Sequence, residues 1–421
     1  MYERRAIVKS RISGLADRVV SGVKAGLCTR EGLRYNAPLL VCCAVIVILL
    51  ILPTGFEDRL QYTEADRCRA RVLATDDSAI IDTGLVRSGE QTCTIELLGG
   101  LFKGEVVTGV NMLNGSLEQD KIFSEGDIAM VVVSYDSDTM TITNVTMSDH
   151  YRITWEIVMA LAFAALLIVF AGRTGVRAIL SFVMTILALW KILVPLYLNY
   201  WNPIWVGLLL CFALTVLIIA LVYGFDRRCA AAVAGSFLGI LVTCVLGILF
   251  TDLFKIHGAV MSWSESLLYS GYADLNLTQI FMASIFVGSS GAVMDLSVDI
   301  TSAVWEVKEK RPDLNWKELA KSGMNVGRNA MGTMTTTLLF AYSGGYIALL
   351  MVFMAQGTPM FNIFNYKYVA AELIHTVIGS FGLVTVAPFT ALTSGILFGN
   401  RTNGNHGEDN MPYSASSVSE V

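Results

Sequence analysis

Long apolar stretches that contain almost no charged residue dominate this sequence. Charged residues make up only 15% of its 421 positions, against roughly 25% in an ordinary soluble protein. A helix of about 20 apolar residues is long enough to cross the ~30 Å hydrocarbon core of a bilayer. The sequence therefore predicts a mainly α-helical membrane protein, a polytopic bundle of about eight transmembrane helices. The predicted spans cover residues 37–53, 153–171, 178–197, 203–223, 230–250, 280–304, 331–355 and 369–398.

The charges between these stretches predict the orientation of the chain. Arginine and lysine collect in the amino-terminal segment and in alternate loops between the later spans, whereas the three opposite loops, 199–202, 251–279 and 356–368, hold two lysines in total. Because basic residues favour the cytoplasmic side, both termini are predicted to be cytoplasmic. The sequence thus divides into a basic cytoplasmic segment (1–36), a first transmembrane helix (37–54), an extracytoplasmic domain (55–151), a seven-helix transmembrane bundle (152–399) and a disordered cytoplasmic tail (400–421).

The polar segment between the first two spans has the pattern of a β domain. Short β-branched runs alternate with glycine-containing turns, which predicts about five strands in a small extracytoplasmic β-barrel-like domain. The oligonucleotide/oligosaccharide-binding (OB) barrel is one candidate fold. From Glu57 to Tyr151 the segment has 17 acidic and 7 basic residues, which argues against a nucleic-acid ligand. We interpret it as a structural or interaction module.

Two cysteines, Cys68 and Cys93, lie in this polar segment. In an oxidising extracytoplasmic compartment they could form a disulfide. Their spacing does not show whether they lie close together, so the pair stays open as a disulfide or as two free thiols.

The strongest candidates for function are two carboxylates within a predicted span. Asp295 and Asp299 are four residues apart and therefore share one helix face. An ionisable side chain within a bilayer is a functional candidate by default, because it needs a partner or water. A pair of neighbouring carboxylates can bind and release a proton or cation, as a coupled transporter requires. The alternative is that both acids only hold helices together.

Four further polar residues are candidates for the same coupling role. Arg328 is a counter-ion for Asp299 or a cytoplasmic anchor, and the hydroxyl of Thr333 lines a wet path or packs helices. Glu372 and His375 are three residues apart and face the same way near the outer end of the last span. Because histidine titrates near neutrality, this pair is a candidate proton entry point, or else two interfacial polar residues.

No pattern in the sequence indicates an enzyme. There is no HExxH motif, no evident Ser/His or Cys/His pair, and no Cys/His spacing typical of zinc. Both intramembrane aspartates lie on one helix, whereas a paired-aspartate protease would take its acids from two. We expect no catalytic residue, no cofactor and no metal site.

Seven runs resemble the YibE/F-like family of multi-pass membrane proteins: Gly288–Asp295, Trp305–Lys310, Lys321–Arg328, Met331–Met334, Tyr342–Gly345, Glu372–Leu383 and Val386–Ala391. The resemblance covers most of the chain and implies a multi-pass protein of a bacterial plasma membrane. It implies no activity, because the family is essentially uncharacterised.

The chain is also similar, more distantly, to SecD, SecF and proton-driven efflux proteins. That resemblance implies that Asp295 is the proton-carrying acid, with Arg328 and Thr333 near it.

Two hypotheses of function follow. The first is a proton- or cation-coupled transporter or export accessory that uses intramembrane carboxylates. The second is a membrane scaffold or assembly partner whose extracytoplasmic domain binds another protein. The expected partners are the lipid bilayer and either another membrane protein or an exported polypeptide, with no nucleic acid. The sequence leaves the oligomeric state open.

Overall fold

A computed structural model describes residues 30–56 and 65–399 of the chain. The described residues are mostly helical, with several long apolar helices and one small β-barrel near the amino terminus. Two compact units are present, one formed by Gly55–Val176 and the other by the residues that precede and follow it. The predicted tail 400–421, and residues 1–29 of the predicted basic segment, lie outside the described residues.

Five strands form the barrel: β1 (Ala65–Asp82), β2 (Arg87–Leu97), β3 (Val106–Asn114), β4 (Ile128–Asp136) and β5 (Thr141–His150). They close in the order β1-β2-β3-β5-β4, and the long strand β1 pairs with both β2 and β4. The β3–β5 pairing is parallel, and the other pairings are antiparallel. The predicted β-rich domain is therefore present as a closed barrel.

Alternation along β1 explains why this segment forms a barrel wall. Cys68, Ala70 and Val72 are buried, whereas Arg69 and Arg71, which lie between them, are exposed. Successive side chains of a strand point to opposite faces, so one face fills the barrel and the other carries charge.

The barrel keeps Cys68 and Cys93 apart. Cys93 on β2 lies opposite Thr75 of β1, seven residues further along that strand than Cys68, or roughly 23 Å at the strand rise of ~3.3 Å. A disulfide requires Cα atoms within about 7 Å. Both cysteines are free and buried, and burial raises the pKa of the Cys93 thiol to about 11. Of the two alternatives that the sequence left open, the structure has the free thiols.

The helices are α1 (Arg30–Ile51), α2 (Ile153–Ala188), α3 (Val194–Leu198), α4 (Pro203–Tyr223), α5 (Arg227–Leu253), α6 (Ser264–Tyr269), α7 (Leu277–Lys310), α8 (Trp316–Ser343), α9 (Ile347–Ala355), α10 (Met360–Asn365) and α11 (Lys367–Phe398). A π-helical turn, Leu189–Leu193, joins α2 to α3. Short 3-10 turns lie at Gly258–Val260 and Gly344–Tyr346.

Six helical stretches among the described residues are long and apolar enough to cross a membrane. One of them, Ile153–Leu198, has 46 residues and contains two of the predicted spans. Its helical geometry is interrupted at Gly172, where φ is 55° and ψ is −123°. Glycine adopts a positive φ without steric cost, so this residue allows the break between the two predicted spans. The predicted first span lies on the shorter apolar helix Asn36–Ile51.

Helix α8 begins earlier than the span predicted there. The Asn315 side chain accepts hydrogen bonds from the Lys317 and Glu318 amides, and the Glu318 carboxylate accepts one from the Asn315 amide. This capping box starts one continuous helix at Trp316, before the first residue of the predicted span 331–355. Asp313, which precedes the helix, binds Arg311, and this contact lowers the pKa of Asp313 to about 2.

Small residues let α5 and α11 pack closely. A Cβ atom added at Gly239 would lie 2.9 Å from Val386 Cβ, and one added at Gly235 would collide with Thr390. Such small-residue contacts are typical of helices that pack within membranes, where close backbone approach supplies the attraction. Helices α7 and α8 complete the buried core around this pair.

Candidate functional site

One face of α7 carries a continuous row of small and polar residues, which we call the α7 stripe: Ser284, Gly288, Gly291, Asp295, Asp299 and Ser302. Their spacing of three and four residues places them on the same helix face. From Ser284 to Ser302 the stripe spans roughly 27 Å at the helical rise of ~1.5 Å per residue. All of its members except Ser284 are exposed, whereas the opposite face of α7 is buried.

The two aspartates of the α7 stripe have no partner within the described part of the chain. Neither Asp295 nor Asp299 takes part in a hydrogen bond or ion pair there. The helix is also open beside them, because a Cβ atom added at Gly291 would meet nothing within 4 Å. Both acids are therefore available to water, an ion or another polypeptide.

The amino-terminal end of the α7 stripe, at Ser284, lies in a group of polar residues from three helices. We call Ser284, Tyr342, Glu372 and His375 the His375 cluster. His375 Nε2 lies 3.3 Å from Ser284 Oγ, and the His375 ring is 5.7 Å from the Tyr342 ring. The Phe281 ring packs edge-on against His375 at 5.0 Å. Helix α11 thus presents both residues of the predicted Glu372/His375 pair to the core of the bundle.

The Ser284 hydroxyl connects His375 to the backbone of α7. Ser284 Oγ lies 2.7 Å from the Phe281 carbonyl oxygen, to which it can donate, and 3.3 Å from His375 Nε2. A neutral imidazole has one nitrogen that donates and one that accepts, so either tautomer of His375 can use this contact.

Two buried polar atoms of the His375 cluster lack a hydrogen-bond partner among the described residues. They are Glu372 Oε1 and Tyr342 Oη. The Tyr342 hydroxyl rests against the α7 stripe, 2.6 Å from where a Cβ atom of residue 288 would lie. Most buried polar groups in proteins are hydrogen-bonded, so two orphaned oxygens in one place indicate a position for water or an ion.

The other end of the α7 stripe is anchored to α4. The Tyr223 hydroxyl lies 2.6 Å from both the Val298 carbonyl oxygen and Ser302 Oγ. Arg228 stacks over the rings of Tyr223 and Trp305, at 5.4 and 5.1 Å from their centroids. This aromatic and basic group fixes one end of the stripe, while the acids in the middle stay unpaired.

The predicted counter-ion does not contact its acid. Gly327 packs against Ile300, which brings Arg328 to about the level of Asp299 along the bundle. No ion pair within 4.0 Å joins these two residues in the described chain, and both are exposed. Thr333 is also exposed, and its hydroxyl donates to the Ala330 carbonyl oxygen of its own helix at 3.0 Å. The structure therefore brings His375 against Ser284 and Tyr342, leaves Glu372 Oε1 buried without a partner among the described residues, and does not pair Asp299 with Arg328.

Sequence reasoning missed a set of fully buried hydroxyls between α7, α5 and α11. Ser297 donates to the Ala232 carbonyl oxygen at 2.8 Å and accepts from Thr390 at 3.0 Å. One turn further along, Thr301 and Ser394 lie 3.3 Å apart. Ser297 is satisfied on both sides, and this group holds helices together. A helical pattern of hydroxyls facing glycines is the signal that could have revealed it.

The fold and the site describe a helical protein whose long apolar helices are compatible with a membrane, with polar residues placed along one of them. The family model of the YibE/F-like proteins matches residues 159–400, which is more than half of the chain, so the chain belongs to this family. No curated protein and no solved structure matches the chain. The more distant likeness to SecD and SecF therefore has no support from known proteins.

Proposed function

We propose that this chain is a proton- or cation-coupled membrane transporter or export accessory. The observation that carries the proposal is the α7 stripe, with two unpartnered carboxylates at its centre and the His375 cluster at its end. Its length of roughly 27 Å approaches the ~30 Å of a hydrocarbon core, so it offers polar groups through most of a bilayer.

The energetics of carboxylates in a membrane favour this role. An unpaired charge at the centre of a bilayer costs at least about 2.5 kcal/mol, and two neighbouring carboxylates also repel each other. Asp295 and Asp299 therefore need a bound proton, a cation or water to be stable there. In the proposed mechanism they exchange a proton or cation with the His375 cluster, while α7, α8 and α11 rearrange. Arg328 and Thr333 stay predicted members of this route.

The proposed placement has eight membrane crossings, both termini in the cytoplasm of a bacterium and the β-barrel outside. The loop charges support it. The break at Gly172 supports two crossings within Ile153–Leu198. The strand order β1-β2-β3-β5-β4 supports an OB-type barrel outside the membrane. The proposal assigns no catalytic chemistry and no cofactor to the chain.

Carbodiimide labelling tests the central claim directly. Dicyclohexylcarbodiimide enters bilayers and reacts with protonated carboxyl groups, and peptide mass spectrometry locates the product. In full-length protein in phosphatidylethanolamine/phosphatidylglycerol vesicles we expect labelling of Asp295 that decreases as the pH rises. Asp295→Asn should remove the label at this residue and lower proton flux across the vesicles. Asp274→Asn, at an exposed loop position, is the matched control and should change neither. Absence of label on Asp295 and Asp299 at every pH would refute the proposal.

The open face of α7 also favours a second function, that of a membrane scaffold. An exposed acidic stripe is a surface that another membrane protein or an exported polypeptide could cover. Asp295→Asn separates the two functions. A scaffold variant keeps its partner in co-purification and shows no change in flux, whereas a transporter variant loses coupled flux at normal expression.

A further inference from the structure

A cleft of about 980 Å³ lies on the unit formed by Gly55–Val176. One wall belongs to the barrel and carries the basic side chains of Arg69, Arg71 and Lys103. The other wall is the start of α2, with Trp155 and Met159. The cleft is therefore cationic on one side and apolar on the other, and we call it the basic cleft.

Two cations of the basic cleft are uncompensated. Arg69 and Lys103 take part in no ion pair among the described residues, whereas Arg71 lies 3.8 Å from Glu96 and Arg152 lies 2.7 Å from Asp149. The lining of the cleft has four arginine and lysine side chains but only two acids. The bases are Arg69, Arg71, Lys103 and Arg152, and the acids are Asp127 and Glu156. This excess of positive charge lies on a domain in which acids outnumber bases 17 to 7, so it opposes the charge of its surroundings.

The chain fixes the two walls of the basic cleft against each other. The Tyr151 amide donates to the Ile128 carbonyl oxygen at 2.8 Å, which ties the end of β5 to β4. Directly after it, the Arg152 carbonyl oxygen accepts from the Trp155 and Glu156 amides and starts the helix. The Arg152 guanidinium also binds Asp149, which holds the pKa of that carboxyl below its usual range. These bonds hold the end of β5 and the start of α2 in place beside the cleft.

We propose that the basic cleft binds the phosphate-bearing headgroup of an anionic phospholipid. Arg69 and Lys103 would contact the phosphate, and Trp155 and Met159 would contact the glycerol and the first part of the acyl chains. Trp155 is 76% exposed in the first turn of an apolar helix, the position at which tryptophan meets a membrane surface. A free phosphate would use only the basic wall, so the apolar wall favours a lipid. Basic pockets beside membrane helices bind anionic headgroups in this way.

This inference rests on the proposed membrane placement of α2 and is independent of transport. The test uses full-length protein purified in detergent, to which phosphatidylglycerol or phosphatidylcholine is added back, with bound lipid counted by native mass spectrometry. We expect preferential retention of phosphatidylglycerol. Arg69→Gln and Lys103→Gln should each weaken it about fivefold, which corresponds to about 1 kcal/mol per cation near a membrane surface. Arg87→Gln, whose side chain binds Asp82 at 2.8 Å elsewhere on the barrel, is the matched control and should bind as the wild type does.

Two outcomes would overturn the inference, and one control separates it from the transport proposal. Wild-type retention of phosphatidylglycerol by an Arg69→Gln, Lys103→Gln double variant with an unchanged unfolding temperature would overturn it. Competition by inorganic phosphate as strong as that by the lipid would overturn the lipid assignment, because the apolar wall would then add nothing. Asp295→Asn should retain phosphatidylglycerol fully, so failure of the transport proposal would leave this result unaffected.

Discussion

His375 is surrounded by polar groups that the fold leaves only partly satisfied. His375 Nε2 is within hydrogen-bond distance of Ser284 Oγ. Glu372 Oε1 and Tyr342 Oη, in the same cluster, are buried without partners among the described residues. A buried polar atom without a hydrogen bond costs about 1–3 kcal/mol. The packed hydroxyls of Ser297 and Thr390, by contrast, carry no such cost. The His375 cluster therefore holds two of the unpaired buried oxygens of the bundle, and the hydroxyls of Thr215, Ser236 and Thr251 are the others among the described residues.

Removing the Tyr342 hydroxyl should separate function from stability. We expect Tyr342→Phe to leave the free energy of unfolding unchanged or to raise it by up to about 1 kcal/mol, because the lost hydroxyl has no partner. Proton flux in vesicles should decrease. Apparent unfolding temperature in detergent measures the first effect. Ser297→Ala is the comparison variant, and we expect it to cost about 1–2 kcal/mol because it removes two hydrogen bonds. Equal destabilisation by both changes would mean that the tyrosine hydroxyl does have a partner.

The faces of the bundle helices differ in their contacts and in their residue types. On α7 the buried face packs against α5, α8 and α11, and the opposite face carries the α7 stripe. On α5 and α11 small residues at intervals of about four allow the backbones to approach closely. A larger side chain at such a contact forces the neighbouring helix to shift, which lowers stability. The same substitution on an open face meets no neighbouring atom.

Two glycine substitutions test this difference between faces. In Gly239→Ala the new Cβ would lie 2.9 Å from Val386 Cβ and 3.2 Å from Val293 Cγ1, so we expect a loss of about 1–3 kcal/mol. In Gly332→Ala, on α8, the new Cβ would meet nothing within 4 Å, and the higher helix propensity of alanine should add up to about 1 kcal/mol. Thermal unfolding in detergent compares the two. Similar unfolding temperatures would contradict the close packing of α5 against α11.

At the scale of the whole molecule, two independent units carry different chemistry. The barrel unit is rich in acids and has the basic cleft on its surface. The helical unit has two acids, Asp295 and Asp299, on the α7 stripe. In the proposed topology the barrel and the loop between α7 and α8 lie on opposite sides of the membrane.

Labelling of engineered cysteines tests this topology. In a Cys28→Ser, Cys43→Ser background, a membrane-impermeant maleimide should label Ser137→Cys, on the exposed turn between β4 and β5, in intact cells. Asp313→Cys, in the exposed turn before α8, should be labelled only after permeabilisation. Cys68 and Cys93 should stay unlabelled at neutral pH because both are buried and burial raises the pKa of each thiol. Labelling of Asp313→Cys in intact cells would show that this turn is outside the cell and would contradict the proposed orientation.

Local pattern was enough to predict several features of this protein. Hydropathy predicted helices at each apolar stretch, because a run of apolar residues must be buried or meet lipid whatever surrounds it. Alternation and glycine turns predicted the strands of the barrel, and a spacing of four residues put Asp295 and Asp299 on one face. Spacing also predicted that Glu372 and His375 face the same way. Each of these inferences depends on neighbours within one or two turns.

Contacts between distant residues were decided by the tertiary structure alone. Strand register separated Cys68 from Cys93, and the packing of α8 left Arg328 unpaired at the level of Asp299. The meeting of His375 with Ser284, which is 91 residues away, depends on how α7 and α11 cross. Sequence by itself fixes which faces are polar, since that follows from the periodicity of one helix. Which faces meet depends on side-chain packing between helices, and no local period encodes it.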